Sequence, residues 1–224
     1  MILLLSGASG SGKTSACRIV AEAAASGSIP TGGVVCDALF ENGCKTGIRC
    51  TDLSPEADGR TWQLARVRPG ALPRKPEEAA RTAASPSAPA FDDSDEAVVR
   101  YGMWEFRKPA LAAADAAIAE YVAALGDAAA GHALPMVFVD EIGPLELDHG
   151  TGLMETLAAL DAAVLRGSPG ALYLIVARPD IAARLAARWP AARTLSMEGI
   201  TPRDAAECII AAHGTGRGSG HSAV

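Results

Sequence analysis

The chain reads as a three-layer α/β/α domain with a mostly parallel sheet and an inserted antiparallel hairpin. Three observations point there. Short, wholly apolar runs (Ile2-Leu3-Leu4-Leu5, Met136-Val137-Phe138-Val139 and Leu172-Tyr173-Leu174-Ile175-Val176) recur between stretches of helical periodicity, as strands buried on both faces do when helices cover them. Hydrophobic residues make up 49% of the 224 residues but aromatics only 4%, so the core is built from Ala, Leu, Val and Ile and suits close helix-on-sheet packing. An Asn-Gly pair, Asn42-Gly43, sits between two strand-like segments and signals a tight hairpin.

Ile2–Ser6 is the first buried strand, and a glycine-rich loop follows it. Residues 14–25 are expected to be a helix with Ile19 and Val20 facing inward, ended by Ser26-Gly27. Thr31-Gly32-Gly33 reads as a turn. Residues 34–40 form a strand, Asn42-Gly43 turns it, residues 46–53 return, and Thr61–Val67 adds a third strand. Residues 68–90 carry Pro69, Pro73, Pro76, Pro86 and Pro89 and read as a long mobile loop. Residues 110–125 are helical, with Leu111, Ile118, Val122 and Leu125 near one stripe. Residues 135–140 are a second buried strand. Residues 151–166 are a helix presenting Leu153, Leu157, Leu160 and Val164. Residues 171–177 are a third buried strand. Helices follow over 180–189 and over 201–213, the last opened by Thr201-Pro202 as cap and first turn. Residues 1–213 then form a single domain, and 214–224 a flexible Gly/Ser-rich tail.

Composition narrows the function. A net charge of −6 argues against a broad nucleic-acid surface but leaves room for a local anion site. No apolar run approaches the roughly 18 residues of a membrane span. The first residues lack a basic leader and meet glycine and lysine too soon for a signal peptide. Cys17, Cys36, Cys44, Cys50 and Cys208 are odd in number and scattered, as reduced thiols are. The expected compartment is the cytoplasm. Cys36, Cys44 and Cys50 contain no CxxC spacing and read as buried or strand-lining thiols rather than a metal or redox site. His132, His149, His213 and His221 show no ligand spacing.

The chemistry lies in the glycine loop. Gly7-Ala8-Ser9-Gly10-Ser11-Gly12-Lys13-Thr14 is G-x-x-x-x-G-K-T, a P-loop, between a strand and a helix. Its glycines allow dihedrals closed to other residues and keep side chains away from phosphate. Successive N–H groups from Gly7 to Ser15 then converge on an anion, helped by the helix dipole. Lys13 can reach the outer phosphates of a nucleoside triphosphate, and the Thr14 hydroxyl can ligate Mg²⁺. A partner carboxylate is needed on a neighbouring strand. Asp140 ends the run Met136-Val137-Phe138-Val139 and would hold the Mg²⁺ shell. Glu141, one residue on, could polarise a water in line with the γ-phosphate. A base beside the metal favours hydrolysis over transfer to an acceptor. Arg178, after the third buried strand, is the candidate cation for the departing phosphate; a surface arginine capping a strand reads equally well. Arg100, Arg107 and Lys108 flank Trp104 and Phe106; the group could line a base or phosphate pocket, but reads more readily as two core anchors amid solvated charges.

These pieces resemble a known family. The P-loop, the hairpin with Lys45-Thr46-Gly47-Ile48, and above all Asp140-Glu141-Ile142-Gly143-Pro144-Leu145-Glu146-Leu147 are similar to the small P-loop nucleoside-triphosphatases, which include thermophile enzymes and the human cancer-related nucleoside-triphosphatase. The resemblance implies a RecA-like P-loop fold and slow Mg²⁺-dependent hydrolysis of ATP, GTP and other nucleoside triphosphates. It assigns Lys13 and Thr14 to phosphate and metal, and Asp140 and Glu141 to metal and water. Glu146 matches an acid of the family motif without an evident role. Gly47-Ile48 stands where the family has Gly-Phe. No base-reading motif such as N-K-x-D is visible, so base specificity is expected to be loose. Two other readings share the P-loop: a phosphotransferase with a small acceptor, and a nucleotide-gated binding module in a cofactor pathway.

Overall fold

A computed structural model describes residues 1–71, 90–125, 134–166 and 170–215. Most of the proline-rich 68–90 segment and of the 214–224 tail, with His132 and His221, lies outside them.

One ten-stranded sheet runs through the described residues. Its strands are β1 (Ile2–Ser6), β2 (Thr31–Glu41), β3 (Cys44–Asp52), β4 (Thr61–Val67), β5 (Phe91–Asp92), β6 (Val98–Tyr101), β7 (Trp104–Arg107), β8 (Met136–Asp140), β9 (Leu172–Ala177) and β10 (Arg193–Ser196). The spatial order is β10-β1-β9-β8-β2-β3-β4-β7-β6-β5. From β10 to β2 every pairing is parallel; from β2 outward every pairing is antiparallel. The antiparallel part is therefore larger than the single expected hairpin. It is a wing that continues one edge of the parallel half, and β2 belongs to both.

The helices are α1 (Lys13–Ser26), α2 (Lys108–Leu125), the single turn α3 (Pro144–Leu147), α4 (Met154–Leu165), α5 (Pro179–Arg188) and α6 (Pro202–Thr215). Alternate residues of the buried strands face opposite layers. Leu3, Leu5, Phe138, Leu174 and Val176 pack with Ala16, Cys17 and Val20 of α1 and Ala205 and Ile209 of α6. Leu4, Val137, Val139 and Ile175 face Ile118 of α2, Leu157 and Leu160 of α4 and Leu185 of α5. Leu111 and Val122 are buried as their spacing predicts, and Leu125 and Val164 pack at the margin of the same core.

Helix ends are tied by side chains. Asp115 of α2 accepts the N–H groups of Glu155 (2.9 Å) and Thr156 (2.7 Å) at the start of α4, a buried carboxylate satisfying donors that a helix leaves free. Thr201 and Asp204 cap α6 reciprocally, Thr201 Oγ1 accepting from the Asp204 N–H and Asp204 Oδ2 from the Thr201 N–H.

Thr31-Gly32-Gly33 is a correction to the sequence reading. It is no turn but the start of β2, in parallel register with Met136, Val137 and Phe138 of β8. The glycines serve close approach. A Cβ on Gly32 would lie 2.3 Å from the Tyr121 ring, and one on Gly33, at φ +85°, would lie 2.1 Å from the Phe138 carbonyl oxygen. Both expected roles of the 100–108 segment are also modified. Arg100 pairs with Asp92, Asp95 and Glu105, and Lys108 with Asp93, so these cations knit the wing together. Phe106 packs against the core, whereas Trp104 lies beneath a lysine. No helix of the described residues is long and apolar enough to cross a membrane.

Candidate active site

Topology places the candidate residues together. β1, β8 and β9 are adjacent and parallel, so the segments that follow them emerge at one carboxyl edge, where ligands of open α/β sheets bind. The loop after β1 carries Gly7 to Gly12, that after β8 begins with Glu141, and that after β9 is Arg178. Ser6 pairs with Ala177 and Asp140 with Val176, which levels the three loops.

The glycine loop folds tightly. Gly10 and Gly12 take φ of +78° and +91°, a region open to glycine at little cost. A Cβ on Gly7 would meet Ser11 Oγ at 2.5 Å and Met197 Cβ at 2.9 Å, and one on Gly12 would meet Pro202 at 2.6 Å. Both positions accept hydrogen alone. Lys13 opens α1 and turns back across the loop, its ammonium donating to the carbonyls of Gly7 (2.6 Å) and Ala8 (2.8 Å). Burial holds that ammonium below its ordinary pKa, and the charges of Glu141 and Asp140 act against the shift. Ser11 Oγ is buried without a hydrogen-bond partner among the described residues, a polar group in the loop left for a ligand oxygen. Ser9 is exposed at the crest of the loop, and Ser15 on the outer side of α1.

The two acids differ in setting. Asp140 is buried, and its Oδ2 accepts from Thr14 Oγ1 (3.0 Å) and from the Cys36 N–H (3.0 Å). Burial pushes its carboxyl up to about 6, with the Cys36 donor pulling the other way and Glu141 adding to the rise. Thr14 and Asp140 thus offer a hydroxyl and a carboxylate at one point, hard oxygen donors that suit Mg²⁺. Glu141 is exposed, and its Oε1 lies 3.6 Å from Arg178 Nε. The structure therefore brings together Lys13, Thr14, Asp140, Glu141 and Arg178, with Arg178 engaged by Glu141.

Glu146 has a place that the sequence leaves open. It is buried, and its two oxygens accept the N–H groups of Gly143 (2.8 Å) and Leu153 (3.1 Å). The carboxylate braces the loop that begins at Glu141, and a Cβ on Gly152 would strike its Oε1 at 2.1 Å. Burial raises its carboxyl to about 7, against the pull of those two donors. A carboxyl whose pKa rises on folding takes up a proton as the chain folds. Its contribution to stability is complete below the unfolded value of 4.5 and is lost as pH rises through about 7. Denaturant midpoints between pH 5 and 8 should fall with pH more steeply in the wild-type chain than in Glu146→Gln; equal slopes would contradict this.

Cys36, Cys44 and Cys50 lie on strands as expected, and Cys17 and Cys208 on helices. Cys36 and Cys50 face each other across β2 and β3 with sulfurs 3.6 Å apart, and all five are free. The described residues hold no cluster of three or more His, Cys, Asp or Glu side chains suited to a metal. His149 stacks on Phe91 at 3.8 Å, and His213 Nε2 lies 2.6 Å from the Leu134 carbonyl. Lys45 is the residue near the site to which the sequence reading gives no task. It stands inside the Lys45-Thr46-Gly47-Ile48 string, but only the fold brings β3 to the acids.

No protein-family model matches the chain, and none of the curated proteins matches it. Two solved structures share its fold over nearly the whole length. The solution structure of a human cancer-related nucleoside triphosphatase superposes with a TM-score of 0.59 at 16% identity, covering 99% of this chain and 98% of that one. The crystal structure of THEP1 from the hyperthermophile Aquifex aeolicus gives 0.56 at 14% identity, covering 95% and 96%. The fold is thus the P-loop α/β fold that the motifs led us to expect.

Proposed function

We propose that this chain is a nucleoside-triphosphate phosphohydrolase of loose base specificity, releasing diphosphate and phosphate. The observation that carries the reading is the 3.0 Å contact between Thr14 Oγ1 and Asp140 Oδ2 beside the Lys13 ammonium. Residues 126 positions apart in the sequence meet at the mouth of a helix, in the combination that phosphate and a divalent cation require. The human structure that shares this fold is named a nucleoside triphosphatase, which supports the same chemistry.

In this reading the N–H groups from Gly7 to Ser15 cradle the phosphates and Lys13 leaves its carbonyls for the outer phosphate oxygens. Thr14 and Asp140 would hold Mg²⁺, which would supply positive charge to the phosphates. Glu141 accepts a proton from the attacking water. Arg178, held against Glu141, orients that carboxylate and adds positive charge at the γ-phosphate end. The sequence carries no N-K-x-D motif, and this reading assigns the energy of binding to phosphate and metal.

Purified protein incubated with ATP, GTP, CTP and UTP plus Mg²⁺ should release phosphate from all four at comparable rates, and chelating the metal should stop it. Release from none would end the proposal. Release that climbs steeply only on adding a small-molecule acceptor would make the chain a phosphotransferase.

A further inference from the structure

Lys45 is the second residue of β3 and pairs with Phe40 across the hairpin. β2 runs beside β8 only as far as the Val34–Val139 pair. The rest of β2 and the hairpin therefore project past the carboxyl edge where Asp140 and Glu141 stand. The Cys36 N–H on Asp140 Oδ2 (3.0 Å) fastens this projection to the site.

The Lys45 ammonium has a specific setting. It lies 5.1 Å from the centroid of the Trp104 ring, and it forms no ion pair with any described residue. A ring face holds a cation without engaging its N–H donors in hydrogen bonds. Burial draws the ammonium below its ordinary pKa, while Glu141 first and Asp140 second act against that shift. Lys13, on the P-loop, feels the same two acids in the same order. The wing, tied to Asp140 through Cys36, thus carries one lysine on the side of the acids away from α1, whose Lys13 lies on the P-loop. Other cations nearby are committed: Arg178 to Glu141 at 3.6 Å, and Arg18 to Asp37.

We propose that Lys45 is a catalytic residue whose ammonium meets the γ-phosphate oxygens from the wing side, opposite Lys13. The inference rests on the hydrolase reading above. In the step it serves, the water oxygen bonds to the γ-phosphorus and a water proton passes to Glu141. The bond from that phosphorus to the β–γ bridging oxygen breaks, and the bridging oxygen leaves on the diphosphate with the electron pair. Lys45 gives up no proton. It offsets negative charge on the moving phosphoryl group, a term that a positioned donor supplies in a partly desolvated site.

The test compares wild type, Lys45→Met and Lys45→Arg. Calorimetry with ADP and with a non-hydrolysable ATP analogue, both with Mg²⁺, is read beside kcat and KM, and melting curves check the fold. Lys45→Met should keep ADP affinity within about twofold, bind the triphosphate analogue about tenfold more weakly, and lose about 10²-fold in kcat, as loss of one charge-stabilising donor does. Lys45→Arg should recover much of the loss. Unchanged kcat and analogue affinity in Lys45→Met would overturn the proposal, and so would an equal fall in ADP and analogue affinity, which marks a structural role. A wild-type chain that binds neither nucleotide overturns the hydrolase reading itself, and shows it before any variant is made.

Discussion

Replacing Glu141 by Gln should lower kcat by about 10²–10⁴ while leaving nucleotide affinity within a few-fold, the range expected for removal of a general base. The two adjacent acids are not equivalent. Both donors at Asp140, the Thr14 hydroxyl and the Cys36 N–H, converge on its Oδ2 in a buried position. That oxygen is held by two donors beside the P-loop, in the setting of a metal ligand rather than of a base at the solvent edge. Glu141 stands at the exposed edge, its Oε1 3.6 Å from Arg178 Nε. A glutamine keeps the length, the shape and an oxygen for Arg178, but it cannot take a proton from water. Binding should therefore survive and turnover should not. Phosphate release measured at saturating nucleotide, with calorimetry on the same preparation, separates the two. A variant with kcat within tenfold of wild type would remove Glu141 from the base role and send the search to another acceptor.

How much of this was legible in the sequence depends on how local each signal is. The P-loop, β1, β8 and β9 were readable because each is an uninterrupted run whose chemistry sits inside it. The start of α6 was readable from Thr201-Pro202, a cap that acts within one turn. Segments stabilised from afar were not. β10 (Arg193–Ser196) is largely exposed and has no apolar alternation; it is a strand because the edge of β1 pairs with it. In the outer wing, β7 places the charged Glu105 in a buried position, where Arg66 (2.8 Å) and Arg100 (3.2 Å) neutralise it. That substitution hides the period-two pattern by which strands are found. Glu146 and Lys45 stand inside strings that the sequence singles out, but nothing local to either gives it a role. Their settings follow from Leu153 folding back over one and from the hairpin, tied to Asp140 through Cys36, carrying the other.

The same contrast between local signal and long-range packing decides what Gly33→Ala should do. Glycine pairs in a sequence mark turns more often than strands, and Gly33 does have the positive φ, +85°, of a turn residue. Here that dihedral lets β2 lie against β8, with Gly33 opposite Phe138 and its carbonyl accepting the Leu53 N–H at 2.9 Å. A methyl group would sit 2.1 Å from the Phe138 carbonyl oxygen and 2.9 Å from its nitrogen. These are backbone atoms of a central strand, so no side chain can swing aside, and the strands must part. Gly43 separates the two contributions. It has φ +76° and nothing within 4 Å of an added Cβ, so Gly43→Ala carries dihedral strain alone, about 1 kcal/mol. Gly33→Ala adds the clash and should cost about 4 kcal/mol or more, in the exceptional class of single substitutions. Because Val34 and Val35 lead straight to Cys36, whose N–H fixes Asp140, whatever fraction folds should also hydrolyse nucleotide poorly. Denaturant midpoints for the two variants decide the matter: a Gly33→Ala chain no less stable than Gly43→Ala would mean that β2 and β8 do not approach as closely as Phe138 and Gly33 do here.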